Sequence, residues 1–85
     1  GVYAAQIIID GAVYDGIANI GFRPTVQGSG VLLEAHIFNF DKDVYGKRVR
    51  VRLIAFVREE KRFASLEELR QNIAMDCQKV REILK

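Results

Sequence analysis

The hydrophobic pattern of this chain changes its period once, and that change limits the folds open to it. Up to Val57 the apolar residues alternate in short runs, whereas after Ser65 they recur at spacings of three and four. Alternation is typical of a strand with one buried face, and spacings of three and four place apolar residues on one stripe of a helix. The pattern therefore predicts a mainly β fold of antiparallel strands with one C-terminal α-helix packed against the sheet.

Turn residues divide the first part of the chain into strands. Val2–Ile9 is rich in β-branched and aromatic residues and ends at Asp10-Gly11. This pair favours a tight hairpin because type I′ turns need positive φ at both central residues. The return strand is expected from Ala12 to about Ile20. Gly21–Gly30 is expected to be a loop because it contains a proline and three glycines.

The second half of the β region contains two further predicted strands. Val31–Phe40 and Lys47–Val57 lie on either side of a turn predicted at Asp41–Gly46. In Lys47–Val57 valine, leucine and alanine alternate with arginine, which predicts a half-buried antiparallel strand. Long strands with short connections favour a sandwich or a small barrel, since closure removes exposed edges.

The helix is predicted from Ser65 to Leu84. Ser65-Leu66-Glu67-Glu68 has the form of a capping box, in which the serine hydroxyl accepts from the Glu68 amide and Glu68 reaches back. One apolar stripe follows at spacings of three and four; it consists of Leu66, Leu69, Ile73, Cys77, Val80 and Leu84. Cys77 is on that stripe, which favours a structural thiol over a reactive one.

Size and composition exclude several classes of protein. The 85 residues allow one domain, and 49% hydrophobic with 28% charged residues is ordinary for a folded domain. A net charge of +2 is weak evidence for a nucleic-acid or membrane partner, and no apolar run approaches about 20 residues. One cysteine and one histidine exclude an internal disulfide and a zinc constellation, and they fit a reducing, cytoplasmic location.

One carboxylate stands within an apolar predicted strand. Glu34 and His36 are two residues apart in VLLEAHIFNF, so they share one face of that strand among large apolar side chains. A carboxylate is costly to bury without a partner. Glu34 is therefore expected either to pair with an arginine on a neighbouring strand or to take part in chemistry; the candidate arginines are Arg48, Arg50 and Arg52.

Three motifs together resemble a known family. They are NIGFRPT at Asn19–Thr25, LEAHIFNFDKDVYGK at Leu33–Lys47 and VREEKRFASLEEL at Val57–Leu69. They resemble the riboflavin kinase domain, which in bacteria usually forms the C-terminal half of a bifunctional riboflavin kinase/FMN adenylyltransferase (FAD synthetase). The resemblance implies that residues 1–85 are a riboflavin kinase-like domain, with a small Greek-key barrel and a C-terminal helix, that phosphorylates riboflavin to FMN with ATP.

The resemblance also implies roles for six residues. Glu34 would be the general base that accepts the proton of the riboflavin 5′-hydroxyl, which suits phosphoryl transfer to an alcohol. The nucleotide would contact His36 and Tyr45. The flavin would contact residues of the loop VREEKRF, namely Arg58, Lys61 and Phe63.

Structural alternatives stay open for three of them. His36 could fill a core position, and Tyr45 could be a turn aromatic that caps the barrel. Phe63 could form a hydrophobic staple for the helix, because it lies just before the expected cap at Ser65.

One family motif has no counterpart here. Members of the family carry a Pro-Thr-x-Asn motif on an earlier strand, whose Thr and Asn hold Mg²⁺ and phosphate. This sequence begins at Gly1, and Pro24-Thr25 continues into Val26-Gln27 without an asparagine. ATP and Mg²⁺ are therefore expected as a co-substrate pair of the parent enzyme, with no metal ligand named here. Residues 1–85 alone are expected to be inactive, and an unpaired barrel edge would favour self-association.

Two other classes of function are alternatives to a kinase. The same barrel could be a flavin-binding or regulatory module without chemistry, which the missing metal motif favours. A nucleic-acid-binding barrel would use Arg48, Arg50 and Arg52, but aromatic side chains are not interleaved with these arginines. No nucleic-acid or membrane partner is therefore expected.

Overall fold

A computed structural model describes residues 1–41 and 46–85, with the side chains of residues 23–25 and 29 left aside. Its elements follow the predicted order of strands and then a helix. They are β1 (Val2–Ile9), β2 (Ala12–Thr25), β3 (Gly28–Ile37), β4 (Val49–Arg58) and α1 (Leu66–Ile83). The predicted mainly β fold with one C-terminal helix is confirmed.

The four strands form one antiparallel sheet in the order β3-β2-β1-β4. Three consecutive strands are joined by hairpins, and the fourth returns to lie beside the first, which is the Greek-key arrangement. Within the described residues the sheet is open, with β3 and β4 as its two edges. The resemblance implied a small Greek-key barrel without its first strand, and the described strands form an open, roughly barrel-like sheet of this kind.

The β1–β2 hairpin turns where the sequence indicates. Asp10 and Gly11 have φ angles of 51° and 81°, and Ile9 pairs with Ala12 across the turn. Both central residues thus adopt the left-handed conformation that a type I′ turn requires. The prediction of this turn is confirmed.

The predicted loop at Gly21–Gly30 is wrong. β2 continues to Thr25, a two-residue turn follows at Val26-Gln27, and β3 begins at Gly28. β1 pairs with β2 only as far as Asn19, so the outer part of β2 has one strand neighbour. Proline is tolerated in a strand that has a free hydrogen-bonding edge, which explains how this segment extends the hairpin despite its composition.

β1, rather than the predicted strand Val31–Phe40, is the centre of the sheet. It is paired on both edges and buried on both faces. Ala5 and Ile7 face one core cluster, and Ala4 faces a second cluster together with Phe38 and Val80. Because helix α1 contributes Val80, that second cluster holds the helix against the sheet.

β3 is an edge strand, and its bounds differ from the prediction. It ends at Ile37, where Phe38 turns into the core and Asn39 takes a φ of 54°. Residues 31–36 are all exposed. The apolar residues of this strand therefore do not bury Glu34, contrary to the expectation from the sequence.

The helix begins where its cap predicts. The Ser65 hydroxyl accepts a hydrogen bond from the Glu68 amide at 3.2 Å, and Leu84 closes the other end. The Glu68 carboxylate accepts from the amide of Ala64 instead of that of Ser65. The stripe is unevenly buried, since Leu66 and Ile73 are 63% and 48% exposed while Val80 is buried. Its other members are half-buried, namely Leu69, Cys77 and Leu84.

Candidate functional site

A cavity of about 560 Å³ lies between the sheet, helix α1 and the segment that follows β4. This volume is within the usual range for small-molecule sites. The sheet contributes residues of all four strands, and α1 contributes one face of its first three turns. The lining residues that carry polar or aromatic groups are Asn19, Glu34, His36, Arg58, Glu60, Lys61, Phe63, Asp76 and Cys77.

Five of the six residues that the motifs single out line this one cavity. Glu34 and His36 come from β3, Arg58 ends β4, and Lys61 and Phe63 follow it. The strand pairs bring these segments together although they are more than 20 residues apart in the chain. Tyr45 and most of the turn predicted around it lie outside the described residues.

Glu34 is exposed on β3 and lines the cavity. Its partner in the ladder is Asn19 on β2. The expected arginine row lies at or beside β4, at the opposite edge of the sheet. The prediction that those arginines occupy a strand next to Glu34 is therefore wrong, because the Greek-key return places β4 beside β1.

His36 is exposed at the end of the same strand, so it does not fill a core position. Its ring lies edge-to-face with Phe38, at 5.9 Å between centroids. The guanidinium of Arg81 lies over the Phe38 ring, 4.5 Å from its centroid. The stack connects the cavity end of β3 to the last turns of the helix.

Arg58 forms a bidentate ion pair in the cavity wall. Its Nε lies 2.9 Å and 3.0 Å from the two carboxylate oxygens of Asp76, and its Nη2 donates to Oδ2 at 2.7 Å. This fork geometry joins the end of β4 to the middle of α1. Hydrogen bonding to Asp76 holds the pKa of the Arg58 guanidinium above its ordinary value, so Arg58 is charged at neutral pH.

Phe63 has two cations beside its ring. The Arg58 Cζ and the Lys61 Nζ each lie 5.7 Å from the ring centroid. Phe63 is half-buried and lines the cavity together with Leu69 from the first turns of α1. A role against a ligand and a role in holding the start of the helix are both compatible with this position.

Two polar residues of the cavity were missed from the sequence. Asp76 is buried, and the Oδ1 atom of Asn19 is buried with no hydrogen-bond partner among the described residues. Asp76 carries a signal that could have found it, because it lies three residues after Ile73 and four before Val80, on the apolar stripe. A carboxylate on such a stripe indicates a buried ion pair. Asn19 lies within the motif NIGFRPT, which indicates no role for it.

The described residues do not form a magnesium site of their own. No group of three or more histidine, cysteine, aspartate or glutamate side chains is placed to hold a metal ion in residues 1–41 and 46–85. Of the carboxylates at the cavity, that of Asp76 is already bound to Arg58 on both oxygens. The described residues thus do not fit a bound Mg²⁺.

The arrangement suits an aromatic ligand that carries a hydroxyl group. An exposed carboxylate and a half-buried aromatic ring with two cations beside it line the same cavity. A carboxylate can accept a proton from an alcohol, an aromatic ring can stack on a planar ligand, and cations can neutralise developing negative charge.

Comparison with known proteins agrees with this geometry. The family model described as Flavokinase, riboflavin kinase, matches residues 1–84. The bifunctional riboflavin kinase/FMN adenylyltransferase of Pseudomonas fluorescens is 45% identical over 98% of this chain and 27% of its own length. The protein of the same description from Escherichia coli K12 is 43% identical over 96% of this chain and 26% of its own length. The chain thus spans about a quarter of these relatives.

A solved structure has the same fold. A crystal structure described as that of a macrolide-efflux protein from Streptococcus pneumoniae superposes with a TM-score of 0.89. It is 30% identical, and the match covers 95% of this chain and 27% of that chain. Helix α1, the single helix among the described residues, is too short or too polar to cross a membrane.

Proposed function

Because this chain belongs to the riboflavin kinase family, we propose that the protein that contains it transfers the γ-phosphoryl group of ATP to the 5′-hydroxyl of riboflavin. The observation that supports this most directly is the single cavity that collects Glu34, His36, Arg58, Lys61 and Phe63. The products are FMN and ADP. The relatives' description further leads us to propose an FMN adenylyltransferase activity for the whole protein, outside this domain.

Glu34 is the proposed general base. Its carboxylate accepts the proton of the ribityl 5′-hydroxyl as that oxygen forms its bond to the γ-phosphorus, and the bond from phosphorus to the bridging oxygen of ADP breaks. The exposed position of Glu34 at the cavity leaves room for an alcohol to approach it. His36, two residues further along β3, is proposed to lie next to the nucleotide.

Phe63, Lys61 and Arg58 form the proposed flavin side. The isoalloxazine ring is planar and largely apolar, so a half-buried aromatic side chain at the cavity wall suits it. Lys61 and Arg58 add positive charge beside the Phe63 ring, each 5.7 Å from its centroid. Mg²⁺ is proposed to accompany ATP, with ligands other than the described residues.

The test is conversion of riboflavin to FMN by the full-length protein. We expect ATP-dependent FMN formation, detected by chromatography of the flavins, together with quenching of riboflavin fluorescence on binding. Flavin binding without FMN formation in the presence of ATP and Mg²⁺ would favour the regulatory module instead. Binding of a single-stranded oligonucleotide without any flavin binding would contradict both.

A further inference from the structure

We propose that Asp76 is a positioning residue for the flavin side of the cavity. Through its ion pair with Arg58, it holds the segment from Glu59 to Phe63 in place as a wall of that cavity. This inference rests on the proposed function, because it concerns how the same cavity takes riboflavin. Neither residue of the pair needs to react for this role.

The geometry of the pair fixes the orientation of the Arg58 guanidinium. Three hydrogen bonds of 2.7 to 3.0 Å connect the guanidinium to both oxygens of one carboxylate. The two side chains are 22% and 6% exposed, for Arg58 and Asp76 respectively. A planar fork that is bound on both oxygens can neither rotate nor translate without losing bonds. Asp76 thereby fixes the plane of the guanidinium as well as its distance from the helix.

The fixed Arg58 guanidinium in turn restricts the position of the segment that follows β4. Its Nη1 donates to the backbone carbonyl oxygen of Glu59 at 3.0 Å, so it holds the chain where the chain leaves β4. Its Cζ lies 5.7 Å from the centroid of Phe63, four residues after Glu59. One side chain on α1 therefore determines both the exit of the strand and one neighbour of the aromatic ring.

A purely structural pair would behave differently. A buried ion pair contributes little net stability but is costly to break, because the remaining charge is left buried. If that were its whole role, removing it would lower the melting temperature and leave the flavin affinity of the folded protein unchanged. A positioning role predicts a loss of flavin affinity in protein that is still folded, with the affinity for ATP unchanged.

The experiment compares two variants of the full-length protein. Asp76→Asn keeps the size of the side chain but replaces one acceptor by an amide that faces the guanidinium. Arg58→Lys keeps the charge and the ion pair but loses the fork, so it is expected to fold even where Asp76→Asn does not. Asp10→Asn is the matched control, since it breaks the exposed ion pair with Lys47 at the β1–β2 turn, outside the cavity.

Three quantities are measured well below the melting temperature of each variant: the riboflavin dissociation constant by fluorescence quenching, the KM for ATP and the melting temperature. We expect the riboflavin dissociation constant to rise about tenfold or more in both Arg58→Lys and Asp76→Asn, given the cost of misplaced binding groups. The KM for ATP should stay within about twofold of the parent value, and Asp10→Asn should match the parent in both.

The outcomes separate the inference from the proposed function. A parent protein that forms FMN, with variants that melt lower but bind riboflavin like the parent, overturns the positioning role alone. The same holds if the ATP affinity falls as much as the flavin affinity. If Asp76→Asn does not fold, parent-like riboflavin binding by folded Arg58→Lys still overturns the positioning role. A parent protein that neither binds nor phosphorylates riboflavin overturns the proposed function and this inference with it.

Discussion

Gly16 on β2 lies directly against the backbone carbonyl of His36 on β3. A Cβ placed on Gly16 would collide with that carbonyl oxygen and would lie 2.6 Å from the Ile7 Cδ1. The ladder pairs Gly16 with Ile37, and the Asp15 carbonyl accepts from the Phe38 amide at 3.0 Å just beyond it. The absence of a side chain at Gly16 therefore determines how closely the cavity end of β3 approaches the sheet.

Replacing Gly16 by alanine is expected to lower the free energy of unfolding and to change the KM for ATP. The carbonyl that the methyl group would meet belongs to the backbone, so relief requires β3 to move, at a cost of about 1–3 kcal/mol for overpacking. That movement carries His36 with it. Urea denaturation and the KM for ATP of the full-length protein measure the two effects.

Gly11→Ala provides the comparison. Nothing lies within 4 Å of a Cβ at Gly11, but its φ of +81° strains any L side chain, at about 1–2 kcal/mol. This variant should be less stable than the parent and should have the same KM for ATP. Parent-like stability of Gly16→Ala would mean that β3 yields more easily than the ladder indicates.

Local chemistry explains which parts of the fold could be predicted. The β1–β2 turn follows from two adjacent residues that accept positive φ, and the start of α1 follows from one hydroxyl at Ser65. Each depends on residues within four positions of each other. The bounds of β2 and β3 depend instead on a ladder from Gly16–Ile37 to Thr25–Gly28, and pairing across that ladder outweighed the glycines and the proline.

The site shows the same difference between features set by neighbouring residues and features set by long-range pairing. Glu34 and His36 share a cavity with Phe63 because strands pair over long separations, and motif resemblance, not spacing, indicated that grouping. The ion pair of Arg58 with Asp76 joins residues 18 positions apart. Apolar neighbours suggested that Glu34 is buried, but hydrophobicity does not show that β3 is an edge of the sheet.

Arg81 is expected to stabilise the fold through the ring of Phe38. Its Cζ lies 4.5 Å from the centroid of this buried ring, so Arg81→Met should cost about 0.5–1 kcal/mol while keeping an aliphatic side chain. Lys79→Met, at an exposed position of the same helix, removes the same charge and is the control. Chemical denaturation of both variants is the measurement. Equal losses would assign the effect to net charge instead of the ring.

The exposed pair of Lys47 with Asp10 is expected to make stability depend on alkaline pH. The hydrogen bond to Asp10, and then its negative charge, raise the pKa of Lys47 above the ordinary 10.5. Since the folded pKa is above the unfolded one, the contribution is complete below about pH 10.5 and is lost as the pH rises through the raised value.

The measurement compares parent and Asp10→Asn by urea denaturation from about pH 8 to about pH 12. The difference in unfolding free energy should be constant at first and then shrink as Lys47 loses its proton. In a Lys47→Met background, Asp10→Asn should produce no such change with pH. A difference that persists at the highest pH would show that Asp10 acts through the turn rather than through Lys47.

Glu34→Gln is expected to remove most of the kinase activity of the full-length protein and leave its fold intact. Glutamine keeps the size and hydrogen-bonding shape of glutamate but cannot accept a proton at neutral pH. A general base typically contributes about 100- to 10,000-fold in rate, so the loss should appear in kcat with little change in the riboflavin dissociation constant.

The structure sharpens the contrast with a purely structural role for Glu34. Breaking a buried ion pair costs about 3–5 kcal/mol, but Glu34 is exposed on an edge strand, where substitutions usually change stability by about 0.5 kcal/mol or less. We therefore expect the melting temperature of Glu34→Gln to match that of the parent. Turnover and melting temperature measured on one preparation decide between the two roles. A variant that melts much lower yet turns over normally at low temperature would make Glu34 a structural residue and require another base.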